Sequence, residues 1–559
     1  MTDAEIDRLA RAVPEEERPV PKSRFAGFGS FLGIYGGEHI AATEFVIGAL
    51  LVTWGVKATE LVFGLVVGNL LAASSYALVT APIAVDTRLT LFAYLRKVTG
   101  PWFQRVYNAT WGTVSIIWAA SMMAISATSL KAAVGLPVQP HWYPTSGACV
   151  ALTLALVAVT VVVSAYGFRG VVRFSSLCVP WMVAIFFCGA AIGVPMLARL
   201  TDFGPVEGVG GFLRLLEAQV FNGSVPAGGV HLTWVHVAAF AWMCGFVYHV
   251  GLNDMSIFRF ARRSSYGWVG LFGMFLGHFF AWICAGVMGA AAACALKTGL
   301  AQLDSGAVTE AVLGWSGLFA VVVAGWTTAT PNIYRASLSF ATFFPKAPLR
   351  RLSFGVGAVI AVVACFPGVM RIDMIANAAA LLVPSVGAIC LVEHWLFPRL
   401  GMVRHWNLYA GRKINPAALL AWGLASVFAL CGVLGNWMHP FFLPIPTFVV
   451  AGAGYLLLAS LMGAKRPVPP EVRNDVDAVE ARIVTLAEDA ADATSDGRAR
   501  GGGVVRPLRA LAWASLAALV ALSLFGAESF RMTSVVCTAA YFTLAGTAAL
   551  AEKGKRTGK

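Results

Sequence analysis

Apolar stretches of about 20 residues, enough for a helix to cross roughly 30 Å of hydrocarbon, recur from Phe28 to near the C-terminus. They predict helices near 28–55, 59–83, 106–130, 147–166, 174–198, 232–258, 267–296, 308–342, 352–370, 373–397, 416–436, 442–463, 508–527 and 532–551. The fold class is therefore all-α and polytopic, with about fourteen transmembrane helices in a block of twelve and a block of two. Residues 1–27 are charged, carry Pro14, Pro19 and Pro21 and lack a compact apolar core, so they read as a cytosolic tail and not a cleavable signal. Residues 199–231 hold Asp202, Glu207 and Glu217 but little Lys or Arg, as an extracellular or periplasmic loop would. Residues 464–507 turn charged, then alanine-rich, then glycine-rich. Val472, Val476, Val479, Ile483 and Leu486 could line one face of a helix there, yet the many acids argue against anionic lipid, and the segment reads as a solvated cytosolic linker.

The first span is interrupted by Gly36-Gly37-Glu38-His39. A charge near the bilayer centre costs about 2.5–3.5 kcal/mol by insertion scales, so it is kept facing a cavity or a partner. Paired glycines weaken a helix, and irregular backbone at that depth lines protein or water. The sixth span repeats the theme. His39 precedes Glu44 by five residues, His249 precedes Asp254 by five, and the sixth span has its own breakers in Gly245 and Gly251. The two pairs lie 210 residues, or five spans, apart. Five is odd, so the two spans run in opposite directions and the repeat is inverted, the arrangement that places a substrate at the midplane between broken helices. The repeats would be 28–198 and 232–397, followed by helices eleven and twelve in 398–463, an added hairpin at 508–551 and a cytosolic tail at 552–559. The eighth span adds Thr327, Thr328, Thr330 and Asn332 around Pro331, which cannot donate to the helix ladder.

Composition agrees with a membrane protein: 58% of the 559 residues are apolar and 12% charged, against about 25% charged in soluble domains. The net charge of +13 does not point to nucleic acid. The basic residues fall in short clusters between spans, such as Arg88, Arg96, Lys97 and Arg105, or Arg259, Arg262 and Arg263, and so set topology, with both termini on the cytoplasmic side of the cell membrane. The ten cysteines stand singly, with no CxxC, and read as buried hydrophobes. No HExxH, nucleophile elbow or close His/Cys cluster is present, so an integral-membrane enzyme is the weaker reading and no cofactor is expected.

Four short motifs then occur in order. They are Gly68-Asn69-Leu70-Leu71, followed by Asp86 to Leu91, Arg96 and Gly100; Gly245 and Gly251 with Arg259-Phe260-Ala261-Arg262; Trp326-Thr327-Thr328 followed by Asn332, Tyr334, Ala336 and Leu338; and Pro384-Ser385-Val386-Gly387 with Glu393. Over roughly residues 25–465 they resemble the nucleobase:cation symporters of the purine and cytosine permease type. The resemblance implies a five-plus-five inverted-repeat fold of the amino-acid/sodium symporter type, with a nucleobase-like substrate between spans one, three, six and eight. The chain departs from that pattern at Ser256, Val247, Ala329 and Pro331, and Glu38-His39 is not part of it.

A flat heterocycle needs aromatic faces and a few polar edge partners. Candidate substrate-binding residues are Gly37, Glu38, His39, Trp118, Gly245, Phe246, Tyr248, His249 and Asn332, with Trp111 as the alternative aromatic. For the coupling ion, backbone near Gly36 to Ile40 with Thr327 and Thr328 could hold sodium, whereas Glu38, His39, Glu44, His249 or Asp254 could carry a proton. The expected partners are a small heterocycle and the bilayer, with a possible homo-oligomer through the C-terminal hairpin. A symporter of another small solute, an amino acid or a vitamin, is the nearest alternative.

Overall fold

In hydrocarbon every backbone N–H and C=O must be satisfied within its own segment, which leaves this chain helices and little else. The computed structural model describes residues 1–136, 141, 143–225, 229, 231–300, 303–492 and 505–557, and 79% of these described residues are helical. Pairing between extended segments among the described residues is confined to two isolated bridges, Ala26 with Ala261 and Lys57 with Asn222. The glycine-rich end of the expected linker, 493–504, and the last two residues of the tail lie outside the described residues.

Helix α1 (Asp3–Arg11) starts in a capping box in which Thr2 and Glu5 satisfy each other's backbone. The first span is α2 (Phe28–His39) and α3 (Glu44–Thr53). Helix α4 (Ala58–Ser75) passes through a π-helical turn at Tyr76–Thr80 into α5 (Ala81–Thr87), and α6 (Leu91–Val98) follows. Next come α7 (Pro101–Ala133), α8 (Gly147–Ser164), α9 (Gly167–Leu200) and the short α10 (Gly208–Leu215). The sixth span is α11 (Trp234–Met243), α12 (Phe246–His249) and α13 (Met255–Phe258). The seventh is α14 (Val269–Phe275) and α15 (Trp282–Leu296), joined by a π-helical turn at Leu276–Ala281. Then follow α16 (Ser305–Leu313), α17 (Trp315–Ala341), α18 (Leu349–Val363) and α19 (Ile372–Leu391), which continues by a π turn into α20 (Phe397–Arg399). The chain closes with α21 (Trp406–Tyr409), α22 (Pro416–Leu434), α23 (Pro444–Met462), α24 (Pro470–Asp492), α25 (Val505–Leu524) and α26 (Ala527–Thr557).

Ten of the described segments are long and apolar enough to cross a membrane unbroken. The other four of the expected fourteen are altered: the first and sixth are broken, α17 is polar in its middle, and α18 has only 15 residues. The stretch 308–342 is not one helix, because Gly314 at φ +63° turns the chain between α16 and α17.

The first break also differs from the one expected. Gly36 and Gly37 sit inside regular α2; the chain leaves the helix only at Ile40 and resumes at Glu44. These glycines instead allow a close helix crossing. A Cβ on Gly37 would lie 2.9 Å from the Ser175 Cβ of α9, and one on Gly36 2.9 Å from Val179. In the sixth span Gly245, at φ +92°, makes a turn that other residues rarely adopt, and the helix opens again over 250–254.

The two breaks lie on a seam. One apolar cluster contains Ile40, Phe45 and Leu51 of the first span and Val237 and Ala241 of the sixth. A second contains Phe31, Ile34 and Tyr35, and Val247, Met255 and Phe258. Each broken span therefore belongs to one core before its break and to the other after it.

Two peripheral pieces complete the fold. The amphipathic face foreseen in 464–507 is docked, not solvated: Ile483 and Leu486 of α24 bury against Ala10 and Val13 beside α1. Arg482 pairs with Asp7 at 2.6 Å, Lys97 with Glu480 at 2.6 Å and Arg88 with Glu488 at 2.7 Å. The α25–α26 hairpin packs on α9, where the Trp181 indole donates to Thr538 and the Tyr541 hydroxyl to the Leu177 carbonyl, while Phe525, Met532 and Val536 stay exposed.

Candidate functional site

At the seam, α17 contributes a fully buried arginine, Arg335. Its guanidinium donates to both carboxylate oxygens of Glu38 from α2, at 2.5 and 2.9 Å, and to Asp254 at the end of the second break. Asp254 also accepts from the Tyr35 hydroxyl at 2.6 Å. Fork-to-fork pairing of this kind is the strong form of a charge-assisted hydrogen bond, and it makes the burial of three ionisable groups tolerable. Two carboxylates against one guanidinium leave one net negative charge when all are ionised.

Aromatic faces flank this cluster. The Tyr248 ring lies 4.5 Å from the guanidinium carbon, its hydroxyl donates to the Asn332 side-chain oxygen at 3.0 Å, and Trp111 meets it edge-on at 6.2 Å. The Asn332 amide in turn donates to the Thr328 carbonyl at 2.9 Å. Glu38, Asp254, Tyr248 and Asn332 are thus brought together, along with Arg335, Tyr35 and Trp111. Arg335 was not singled out by sequence reasoning, although an arginine three residues after Asn332 in an apolar span is itself a signal of function.

Helix geometry explains where the other candidates go. Residues two apart on a helix point about 200° away from each other, so Phe246 cannot share a side with Tyr248. Phe246 packs instead with Trp242 and with Phe448 of α23. His249, one turn on, follows Phe246: its Nε2 faces the Trp242 carbonyl and its ring meets Tyr76. Trp118 is two turns beyond Trp111 and packs into the larger apolar core. His39 turns back to its own helix end, its Nδ1 2.7 Å from the Tyr35 carbonyl. Gly36 and Gly37 contact α9, and Gly245 makes the turn that starts α12. Glu44 lies apart from the arginine, its carboxylate accepting from the Trp282 indole. The Thr327 and Thr328 hydroxyls each donate to the Ala324 carbonyl, and Pro331 leaves the Thr327 carbonyl without its helical donor.

No family model matches the chain, and no curated protein matches it. Solved structures do. Mhp1, a nucleobase-cation-symport-1 family transporter in a closed conformation with bromovinylhydantoin bound, is similar over 83% of this chain and 99% of its own, at 14% identity and a TM-score of 0.61. The inward-facing conformation of Mhp1 is similar over 83% and 96%, at 15% identity and a TM-score of 0.58. A Na+-coupled sialic acid symporter in a substrate-bound outward-open state is similar over 82% and 96%, at 10% identity and a TM-score of 0.57. This chain has the fold of these transporters.

The Mhp1-type fold is the five-plus-five inverted repeat expected from the paired breaks. Within it, a cavity of about 1160 Å³ opens beside the N-terminal tail and runs inward past Arg24, Phe168 and Arg173 to Arg259 and Tyr334. There Arg259 donates to the Tyr334 hydroxyl at 3.1 Å and pairs with Glu16 of the tail at 3.7 Å. Tyr334 is the residue before Arg335, and Glu38, Asp254 and Arg335 themselves do not line the cavity. Burial raises the Glu16 carboxyl above its ordinary value, with Arg259 opposing the shift.

Proposed function

We propose that this chain is a cation-coupled symporter that imports a nucleobase or a related small heterocycle, such as a cytosine, purine or hydantoin, by alternating access. The observation that carries the reading is the Glu38–Arg335–Asp254 cluster, held between two opposed broken helices on the seam of two cores. A ring with alternating N–H and C=O groups offers the donors and acceptors that a carboxylate and a guanidinium complement, and Tyr248 and Trp111 supply faces for it. The proposed repeats are 28–198 and 232–397, and the tail face with residues 1–27, α24 and the end of α26 is proposed as cytosolic. Sodium is the proposed coupling ion at the eighth span: the Thr327 carbonyl freed by Pro331 and the acceptor lone pairs of Thr327 and Thr328 suit a hard cation. The Na+-coupled sialic acid symporter supports that choice.

A carboxylate-bearing solute is the second reading, because Arg335 could exchange Glu38 for a substrate carboxylate. One experiment separates the two: uptake of labelled cytosine, uracil, hypoxanthine, hydantoin and a panel of small organic acids into proteoliposomes, with and without a sodium gradient. The heterocycle reading requires saturable uptake of a ring and none of the acids; the reverse outcome overturns it. Glu38→Gln is expected to reduce that uptake about a hundredfold, the equivalent of roughly 3 kcal/mol lost from a charge-assisted pair, while leaving a monodisperse protein. Wild-type uptake in that variant would refute the site.

A further inference from the structure

Behind the central cluster, on the side of α4 and the seventh span, four buried polar atoms have no hydrogen-bond partner: Asn69 Oδ1, Tyr76 OH, His249 Nδ1 and His278 Nδ1. Their residues are between 0% and 4% exposed. They are also neighbours. The Tyr76 ring lies 5.1 Å from that of His249 and 6.3 Å from that of His39, His39 lies 5.3 Å from His278, and the Asn69 amide donates to the His278 carbonyl. An isolated orphan can be an accident of packing, but four linked through neighbouring rings mark a polar layer whose hydrogen bonds the side chains do not complete. Buried water occupies such sites when it finds two to four polar partners.

This group connects two acids. On one side the His278 ring stacks on Trp282, with centroids 4.5 Å apart and planes 12° apart, and the Trp282 indole donates to the buried Glu44. On the other, His39 bonds the backbone of Tyr35, whose hydroxyl donates to Asp254. Around His278 stand Asn69 from α4, Cys244 from the end of α11 (3.8 Å to Nε2), His39 from α2 and, through Trp282, Glu44 from α3, while Tyr76 from the π turn after α4 joins His39 to His249 of α12. Asp254, Glu38 and Arg335 lie one layer farther. Apart from the two end acids, every titratable group in this group is a histidine, a tyrosine or a thiol, and no cation faces it directly. Histidine is the side chain whose ordinary charge change falls between pH 5 and 8.

We propose that His39, His249 and His278, bridged by buried water with Tyr76 and Asn69, form a proton site that exchanges with Asp254, so that a proton is a second coupling ion of this transporter. The proposal rests on the transporter reading for its role, but the protonation itself does not. Glu44, where the chain resumes after the first break, and Asp254, at the end of the second, mark its two ends. A proton resting on the histidines offsets the negative charge left over in the cluster, and one passed to Asp254 loosens its hold on Arg335.

The stacked Trp282 makes the site readable without a substrate, because an imidazolium against an indole quenches its fluorescence. The full-length protein in detergent is titrated from pH 5 to 8, and the Trp282 signal is taken as wild type minus Trp282→Phe. A titrating Trp282 signal that disappears in His278→Gln is the expected result. A flat wild-type signal, or an unchanged titration in His278→Gln, overturns the proposal whether or not any solute is transported. His249→Gln, which leaves the stack intact, should move the midpoint; it keeps the test decisive if His278→Gln does not fold. In proteoliposomes, hydantoin uptake should carry protons inward in the wild type, read by an internal pH dye. Hydantoin uptake with no proton movement overturns the coupling role, whereas no uptake of any panel solute is a failure of the transporter reading instead.

Discussion

Two buried carboxylates in this molecule look alike in the sequence and differ in what surrounds them. Glu38 and Glu393 each interrupt an apolar span; the Glu38 side chain is 8% exposed and Glu393 is fully buried. Glu393 sits in the π turn between α19 and α20, accepts from the Tyr455 hydroxyl and the His405 backbone N–H, and meets no guanidinium there. Tyr455 in turn accepts from the Trp406 indole at 3.2 Å and the Asn415 amide at 3.1 Å. Tyr455 of α23 and the residue that caps α21 thus donate to one acid in an unbroken span, and Trp406 of α21 and the residue that caps α22 hold the tyrosine. Glu38 instead answers to an arginine that also holds a residue of the opposed break. Membrane depth alone does not distinguish a site from a staple; the origin of the partner does. Neutral donors on helices that move together make a lock, and a shared cation between two broken helices makes a contact that rearrangement must remake.

The largest expected effect comes from removing that shared cation. Arg335→Met leaves Glu38 and Asp254 buried without a counter-charge, a loss of about 3–5 kcal/mol for a broken buried pair. It should abolish uptake and lower the thermal unfolding midpoint sharply. Arg335→Lys should rescue folding better than transport, since an ammonium cannot span both carboxylates as a planar fork does. If Arg335→Lys transports like the wild type, the distinction between contact and lock collapses. Glu393→Gln is the matched control. It keeps an acceptor for Tyr455 and removes only a charge-assisted bond, so stability should fall by about 1–3 kcal/mol while uptake per folded molecule is unchanged. Loss of uptake at full stability in that variant would mean that Glu393 belongs to the transport machinery.

The sequence revealed the spans because bilayer thickness imposes a length that composition cannot disguise. It also revealed Glu38 and Asp254, because charge in an apolar run is conspicuous at any position. The placement of the first break at the glycines went astray because a glycine has two uses, and the close approach to Ser175 is visible only when α9 is present. Choosing among aromatics failed similarly. Tyr248, Phe246 and His249 are consecutive or nearly so, and only the turn at Gly245 fixes which side each faces. His278 and Trp282 gave no signal at all, because their partners His39 and Glu44 lie more than 230 residues away. Docking of α24 was hidden for the same reason: its apolar face is matched by α1, at the other end of the chain.

The smallest effects belong to that docking, and they complete the comparison by supplying contacts that lie outside the apolar spans altogether. Arg88 of the loop after α5 reaches Glu488 on a partly exposed surface, where such pairs contribute at most about 1 kcal/mol. Arg88→Glu should therefore leave the unfolding midpoint nearly unchanged but speed proteolysis within 470–492, and Arg88→Glu with Glu488→Arg should restore protection. The Asp7 carboxyl is held below its usual 3.8 by hydrogen bonds from Arg11 and then Arg482. A carboxyl depressed by its partners stabilises the docked state above its unfolded value and loses that contribution as pH falls through the docked one. Protection of α24 should accordingly persist down to about pH 4 and fail below it, and Asp7→Asn should flatten that dependence. Protection that instead weakened on raising the pH from 4 to 7 would show that Asp7 and Arg482 do not hold α24 to α1.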